Sequence, residues 1–534
     1  MIKLIENFSL NNIRGDIFGG LTAAIVALPL ALAMGVSSGA GPTAGLYGAI
    51  FVGFFAALFG GTGSQISGPT GPMTVIMTVI FTQYTTMYAD NLSYGVTVAF
   101  SIVVLGGAFQ ILFGILKVGR YINLVPHPVI SGFMSGIGII IIILQLGPLF
   151  GHNISGKPLE LVAKLPEIIN NPVYDALILG LTTLLVVYFL PKKINKYIPS
   201  PLMSLIIGTL VWLYFMYDNH NVTILGDMPV GIPNPNLPIF PIELLPDILK
   251  SALILAVLGS IDSLLTSLVA DDITRTNHKS DRELIGQGIG NMVAGIFNGL
   301  PGAGATMRTV VNIRSGGLTP ISGMVHALIL LVIVLGASSF VKYIPHAVLA
   351  GILFKVGTDI IDWSYIKNIK KAPLAGISIM LTVLFMTIFV DLIAAVATGV
   401  IMSSIIFMNR MSKVQLTSIL ATKDIGYAQH LSKRFQDILT NDNALLYKLN
   451  GPMSFASAKG LVKDFSKYSD YDKVIFDLSN VPIIDYTTSR SILEICRIVD
   501  EKGKSIIILD ANNKVKKFLD NIGISADKFE ENNS

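Results

Sequence analysis

The sequence predicts a polytopic α-helical membrane protein that carries a small α/β domain at its C-terminal end. Three observations carry this. The chain has 534 residues, 52% hydrophobic and only 13% charged, where a soluble domain holds about 25% charged residues. Apolar runs long enough to cross a bilayer, about 20 residues each, recur up to Arg410. Beyond Arg410 charged residues become frequent, and short β-branched runs alternate with amphipathic ones. The expected division is 1–410 as a transmembrane domain, 411–440 as a connector and 441–534 as the α/β domain.

Composition also excludes function classes. A net charge of +4, with no basic stripe interleaved with aromatics, argues against nucleic acid as a partner. One cysteine, Cys496, excludes a disulfide framework and a multi-cysteine metal site; it falls in the apolar pattern of a late helix and reads as packing. No cleavable signal peptide is expected, because the first apolar segment follows Arg14 and Asp16 and runs straight into more membrane-like sequence.

Fourteen apolar segments are expected, in two sets of seven. The first covers about 16–37, 43–60, 69–85, 92–115, 127–149, 174–192 and 199–217. The second covers about 247–270, 284–298, 305–317, 320–341, 344–360, 372–391 and 393–408. Segments 69–85, 284–298, 305–317 and 344–360 are short or polar for lipid exposure. By this count Lys117, Arg120, Lys192, Lys193, Lys196, Arg275, Lys279, Arg282, Lys367, Lys370 and Lys371 share a side with the N-terminus, which the positive-inside rule makes cytoplasmic. The Asp218–Pro246 loop has no Lys or Arg and belongs outside; Lys157 and Lys164, in the 150–172 loop, are the exception. An even number of crossings returns the α/β domain to the cytoplasm, with the cell inner (plasma) membrane as the expected location.

The halves repeat weakly. Asp16-Ile17 opens the first segment and Asp247-Ile248 the eighth, while GPTGPMTV (Gly68 to Val75) and GAGATMRT (Gly302 to Thr309) hold equivalent places. Copies separated by an odd number of crossings are inverted, and glycine-broken segments at matching positions point to a transporter substrate site. Each stretch reads as an extended piece followed by a half-helix, with Pro69 or Pro72 in a first turn. The amides of Ala305 and Thr306 then open the second half-helix, and two opposed N-termini attract an anion. The alternative is close helix packing through small residues. Arg308, one turn in, either adds positive charge to the anion site or caps a cytoplasmic vestibule.

Asp262 lies in ILAVLGSIDSLLTSLVA, and a carboxylate inside a span is functional by default. Thr266 shares its helix face. Together with freed backbone carbonyls they suit sodium, or a proton on the carboxylate; the alternative is an interhelical polar pair. No second carboxylate lies within two turns, which argues against a multivalent metal. Glu283, Gln287 and Asn291 recur at four-residue steps and either orient this site or, for Glu283, supply a first-turn acid at the cytoplasmic end. His127 and His346 each adjoin a proline at a segment start and read as interfacial. No Ser–His–Asp or His–Cys set stands at useful spacing within the segments, so the chain does not read as an enzyme.

RGDIFGGLTAAIVALPLALAMGVSSGAGPTAGLYGA, Arg14 to Ala49, resembles the start of the SulP family, the sulfate-permease anion transporters. GTGSQISGPTGPMTV and the Asp262 segment are most similar to the sodium-dependent bicarbonate transporters of that family. The resemblance implies a uracil-transporter-like fold, fourteen segments in a 7+7 inverted repeat divided into core and gate, with substrate between the third and tenth segments. It implies sodium at Asp262, Thr266, Gly304, Ala305 and Thr306, and the anion at Thr70, Gly304, Ala305 and Thr306. Gly68 departs, standing where the relative is expected to carry an acid.

VIFDLSNVPIIDYTTS, Val474 to Ser489, resembles the signature loop of a STAS domain. There Thr487 takes the place of a phosphorylatable serine, two residues after Asp485, and Thr488 replaces a glycine; alternatively Asp485 simply caps the helix. The resemblance implies a cytoplasmic dimerisation or regulatory module, hence a homodimer through this domain or a cytoplasmic regulatory protein as partner. The function these readings imply is a sodium-dependent bicarbonate symporter in a lipid bilayer, with no cofactor beyond the coupling sodium ion. The alternatives are a sulfate or dicarboxylate transporter, with protons as coupling ion, and a channel or sensor.

Overall fold

A computed structural model describes residues 10–120, 125–152, 158–195, 198–216, 222–226, 231, 233–336, 341–390 and 392–532. Lys157 and Lys196 lie outside these. The chain divides into two compact units, Met1–Val400 and Ile401–Ser534.

In the first unit, α1 (Ile13–Ser37), α2 (Pro42–Phe59), α3 (Gly71–Met87) and α4 (Leu92–Ile115) group with α10 (Leu245–Thr274), α11 (Ser280–Ile296), α12 (Thr306–Arg314) and α13 (Pro320–Gly336). A second group holds α5 (His127–Leu149), α7 (Tyr174–Phe189), α9 (Ser200–Phe215), α14 (His346–Ile360) and α16 (Leu374–Phe389). Between these run the short α6 (Pro158–Asn170), α8 (Lys192–Asn195) and α15 (Trp363–Lys367), and α17 (Leu392–Thr417) crosses the unit boundary. Small residues set the spacing of the first group. A Cβ on Gly45 of α2 would stand 1.9 Å from the Ala31 carbonyl oxygen of α1, so the two backbones touch. Asp16 of α1 is fully buried and ties down the start of α13, accepting from the Leu318 and Thr319 amides at 2.8 and 2.9 Å and from Thr319 Oγ1 at 2.7 Å. Its repeat counterpart Asp247 is exposed.

Among the described residues, six helices are long and apolar enough to cross a membrane unaided, or seven if the α6–α7 pair, bent by 110°, counts as one span. The fourteen expected segments therefore do not all stand alone. Segments 69–85, 284–298, 305–317 and 344–360 fold as α3, α11, α12 and α14, and none of these four is among the apolar spans. The reason is their surroundings. Helix α11 packs on α2 and α4, and α12 on α1 and α10, so their polar residues meet protein rather than lipid. The 150–172 loop is mostly the helix α6.

The second unit is a five-stranded sheet in the order β3–β4–β5–β6–β7: β3 (Leu420–Thr422), β4 (Ala444–Asn450), β5 (Lys473–Asn480), β6 (Ser505–Leu509) and β7 (Phe529–Glu530). β3 pairs antiparallel with β4 and the other pairs are parallel. Helices α19 (Phe455–Phe465), α20 (Tyr486–Glu501) and α21 (Asn513–Asn521) match the expected strand–helix alternation. The stretch 411–440 is more than a tether: it contains β3 and most of α18 (Lys433–Asn441), whose Phe435 and Leu439 are buried against β4. Cys496 is core, and burial pushes its thiol up to about 11. Asp485 caps α20, accepting from the Thr488 amide at 2.8 Å, and Thr487 is exposed in the first turn.

Asp477 on β5 is fully buried; its Oδ2 meets His430 Nε2 at 2.9 Å and Lys448 Nζ at 3.1 Å, and its Oδ1 accepts from the Ser479 amide at 2.9 Å. Burial alone would raise this carboxyl, but the hydrogen bonds from Ser479, His430 and Lys448 outweigh it and hold it below the usual range. A depressed carboxyl supplies stability that is present above about pH 4 and lost as pH falls below it. Asp477→Asn, which strands Lys448, is expected to destabilise the second unit by about 3 kcal/mol at pH 7, and by clearly less near pH 3; urea denaturation at the two pH values checks both figures.

Candidate functional site

Two short strands form the centre of the first unit. β1 (Ser67–Gly68) precedes α3, β2 (Ala303–Gly304) precedes α12, and the two pair antiparallel with Ser67 opposite Gly304 and Gly68 opposite Ala303. The glycine-rich stretches thus meet each other. Glycine is required by contact: a Cβ on Gly302 would lie 2.5 Å from the Gly68 carbonyl carbon. Beyond the strands the Ala305 amide donates to the Ile66 carbonyl at 2.8 Å, and Thr309 Oγ1 accepts from the Ile66 amide at 3.0 Å. Extended backbone thereby finds partners inside the unit, while α3 and α12 both begin beside it with unpaired first-turn amides.

Helix α10 passes this crossing and supplies its polar side chains. Ser263 Oγ accepts from the Gly304 amide at 3.1 Å. Thr266 Oγ1 donates to the Gly304 carbonyl at 2.9 Å and lies 2.8 Å from Thr306 Oγ1. Asp262, one turn earlier, is 8% exposed, and its Oδ2 is buried with no hydrogen-bond partner; Thr70 Oγ1, the residue before α3, is buried and unpartnered as well. Asp262, Thr266, Gly304 and Thr306 are thus brought to one place, with Ala305 as the N-cap of α12 and Thr306 exposed at its mouth. Arg308 is 2% exposed and donates from Nη2 to the Pro69 carbonyl, binding α12 to the start of α3. A Cβ on Gly68 would stand 2.8 Å from Arg308 Nη1, so the guanidinium occupies the space into which an acid at 68 would reach.

Several members escaped the sequence reading. Ser263 and Ser267 follow Asp262 and Thr266 directly, and a four-residue repeat of hydroxyls along α10 was the available signal. Asn291, which the sequence marks with Glu283 and Gln287 as a candidate to orient the site, holds Gly302 in both directions, accepting from its amide at 2.7 Å and donating to its carbonyl at 2.9 Å, and also donates to Gln110 at 2.7 Å. Glu283 is in the first turn of α11, as expected of an acid there, but it is buried rather than solvated. His326 of α13 is fully buried with neither ring nitrogen bonded, whereas His127 has a 71% exposed side chain.

A helical membrane unit with two half-helices meeting at an antiparallel crossing has the build of a secondary transporter. Residues 13–383 match the sulfate permease family and residues 436–530 the STAS domain. The chain belongs to the sulfate permease family, whose members transport rather than catalyse, and it is a multi-pass membrane protein with a STAS domain. It is 43% identical over 434 residues to the bicarbonate transporter BicA of Synechocystis sp., covering 80% of this chain and 77% of that one. It is 28% identical over 446 residues to the putative sulfate transporter YvdB of Bacillus subtilis, covering 81% of each. Among solved structures, the transmembrane domain of a cyanobacterium BicA superposes with a TM-score of 0.70 at 47% identity, over 74% of this chain and 100% of that one. Murine Solute Carrier 26 family member A9, in its inward-facing state, superposes with a TM-score of 0.82 at 17% identity, over 97% and 88%; at that identity the likeness is one of fold.

Gly302→Ala is expected to part β1 from β2 and lower transport by about 100-fold, the scale of a 1 Å misplacement at a reacting site, while the protein still inserts. Vesicle uptake normalised to inserted protein checks this.

Proposed function

We propose that this chain is a sodium-coupled bicarbonate symporter of the plasma membrane. Its transport unit is built as fourteen segments in a 7+7 inverted repeat, and its STAS domain lies on the cytoplasmic side and mediates a homodimer. The observation that carries the reading is that both half-helices act on the buried carboxylate of Asp262, through Thr70 before α3 and Arg308 of α12, while its Oδ2 keeps no partner at hydrogen-bond distance. Each helix N-terminus carries roughly half a positive charge, so the pair matches a monovalent anion. Asp262, with Thr266 and the Gly304 and Thr306 oxygens beside it, matches a monovalent cation bound by hard oxygen donors. Thr70, Ala305 and Thr306 border the anion. Each ion offsets the field of the other, so their binding free energies are coupled in both directions. The relatives named for bicarbonate transport support the cargo.

A second reading is a sulfate or dicarboxylate carrier. Buried Arg308 favours it, because a dianion would use a full positive charge beyond the two helix ends. Competition for uptake separates the readings: sulfate in tenfold excess, about 1.4 kcal/mol of competing occupancy at equal affinity, is expected to leave bicarbonate uptake almost unchanged.

The first test is uptake of labelled bicarbonate into proteoliposomes under an inward sodium gradient, against an equal potassium gradient with pH clamped. Sodium-dependent accumulation is expected. Asp262→Asn is expected to abolish the sodium stimulation; unchanged sodium-dependent uptake in that variant would sink the assignment of the cation to this carboxylate.

A further inference from the structure

Glu283 is 1% exposed in the first turn of α11, and each of its oxygens is doubly engaged. Oε2 accepts from the main-chain amides of Gly61 at 2.8 Å and Thr62 at 3.0 Å. Oε1 accepts from the side-chain amides of Gln65 at 2.7 Å and Gln287 at 2.8 Å. All four donors are neutral. Three of them belong to the loop that enters β1, and the fourth, Gln287, passes the link on to β1 itself through Ser67 Oγ at 2.6 Å.

The other direction leads to the second half of the site. Gln65 Oε1 accepts from Ser267 Oγ at 2.9 Å, and the same hydroxyl lies 2.7 Å from Thr62 Oγ1. Ser267 adjoins Thr266 on α10. The Gln65 amide also fills the room beside Gly304, where a Cβ would stand 2.4 Å from its Nε2. One carboxylate on α11 therefore grips the approach to β1 and, through Gln65, the backbone of β2 and the hydroxyl run of α10.

We propose that Glu283 is the positioning residue of the crossing: it holds Gly304 and Thr266 at the spacing the cation needs, without touching either ion. The transport arm of this inference rests on the sodium–bicarbonate reading; its structural arm does not. Replacing the carboxylate by an amide preserves volume but puts an NH2 donor in place of one acceptor oxygen, facing N–H groups that need acceptors.

The test uses full-length Glu283→Gln in nanodiscs and proteoliposomes. Hydrogen exchange of peptides covering 60–68 and 302–306 is expected to quicken by about tenfold in both, with the rest of the chain unchanged. The sodium half-saturation of bicarbonate uptake is expected to rise by about tenfold, equal to about 1.4 kcal/mol, with the maximal rate changed less. A purely structural role would lower the amount of active protein and leave the half-saturation where it was. Unaltered exchange at 302–306, or a half-saturation within about twofold of the parent, overturns the proposal. If Glu283→Gln is not recovered folded, Ser267→Ala takes its place, since it cuts the links of Gln65 and Thr62 to α10 and leaves the Glu283 bonds to Gly61, Thr62 and Gln65 intact; the same shifts are expected and the same outcomes overturn. Absence of sodium-stimulated uptake in the parent protein would fail the functional reading, while the exchange arm still decides the role of Glu283.

Discussion

Backbone amides and carbonyls at membrane depth need partners, and the β1–β2 pairing supplies them. Everything at the site depends on this. Only because Ser67–Gly68 and Ala303–Gly304 bond to each other can two helices begin in the middle of the unit with their N-termini free. The glycines follow from the same requirement, since two backbones at van der Waals distance leave no room for Cβ atoms. The hydroxyls and amides of α10 and α11 then close the remaining bonds around the crossing: Ser263 on Gly304, and Asn291 on Gly302.

Among the described residues of this unit, three buried carboxylates differ in what surrounds them. Asp16 accepts from the start of α13 and Glu283 from the approach to β1, each with three or more neutral donors from the protein. Both are structural charges whose solvation the fold itself provides. Asp262 keeps Oδ2 without a donor. Thr70 and the charge of Arg308 are the groups that favour its ionised form, against three or more close donors at each of the other two, and this contrast, rather than burial alone, separates Asp262 from them.

The sequence revealed the two glycine stretches, the Asp262–Thr266 face and the strand–helix alternation after Leu445, because each is a local pattern with its own period or composition. It also marked four segments as poor lipid neighbours, and these became α3, α11, α12 and α14. What it did not reveal was which polar residues answer each other across distant elements. Gln65 and Glu283 are 218 residues apart, and nothing in the immediate neighbourhood of either names the other. The inequality of Asp16 and Asp247, equivalent by repeat yet one buried and one exposed, likewise arises from tertiary packing. Length and hydropathy alone also overstate independence: a helix of nine residues such as α12 persists where protein covers it and would not span a bilayer unaided.

The stitch between β1 and β2 has a mechanical consequence. One strand comes from each half of the chain, so the binding residues contributed by the two halves cannot separate without stripping backbone groups of their partners in a medium that offers no replacements. The crossing is therefore a single stiff part. A displacement that keeps its pairing intact moves it whole against the α5, α7, α9, α14 and α16 group, along the seam where the δ-methyls of Ile141 and Ile360 crowd Gly71.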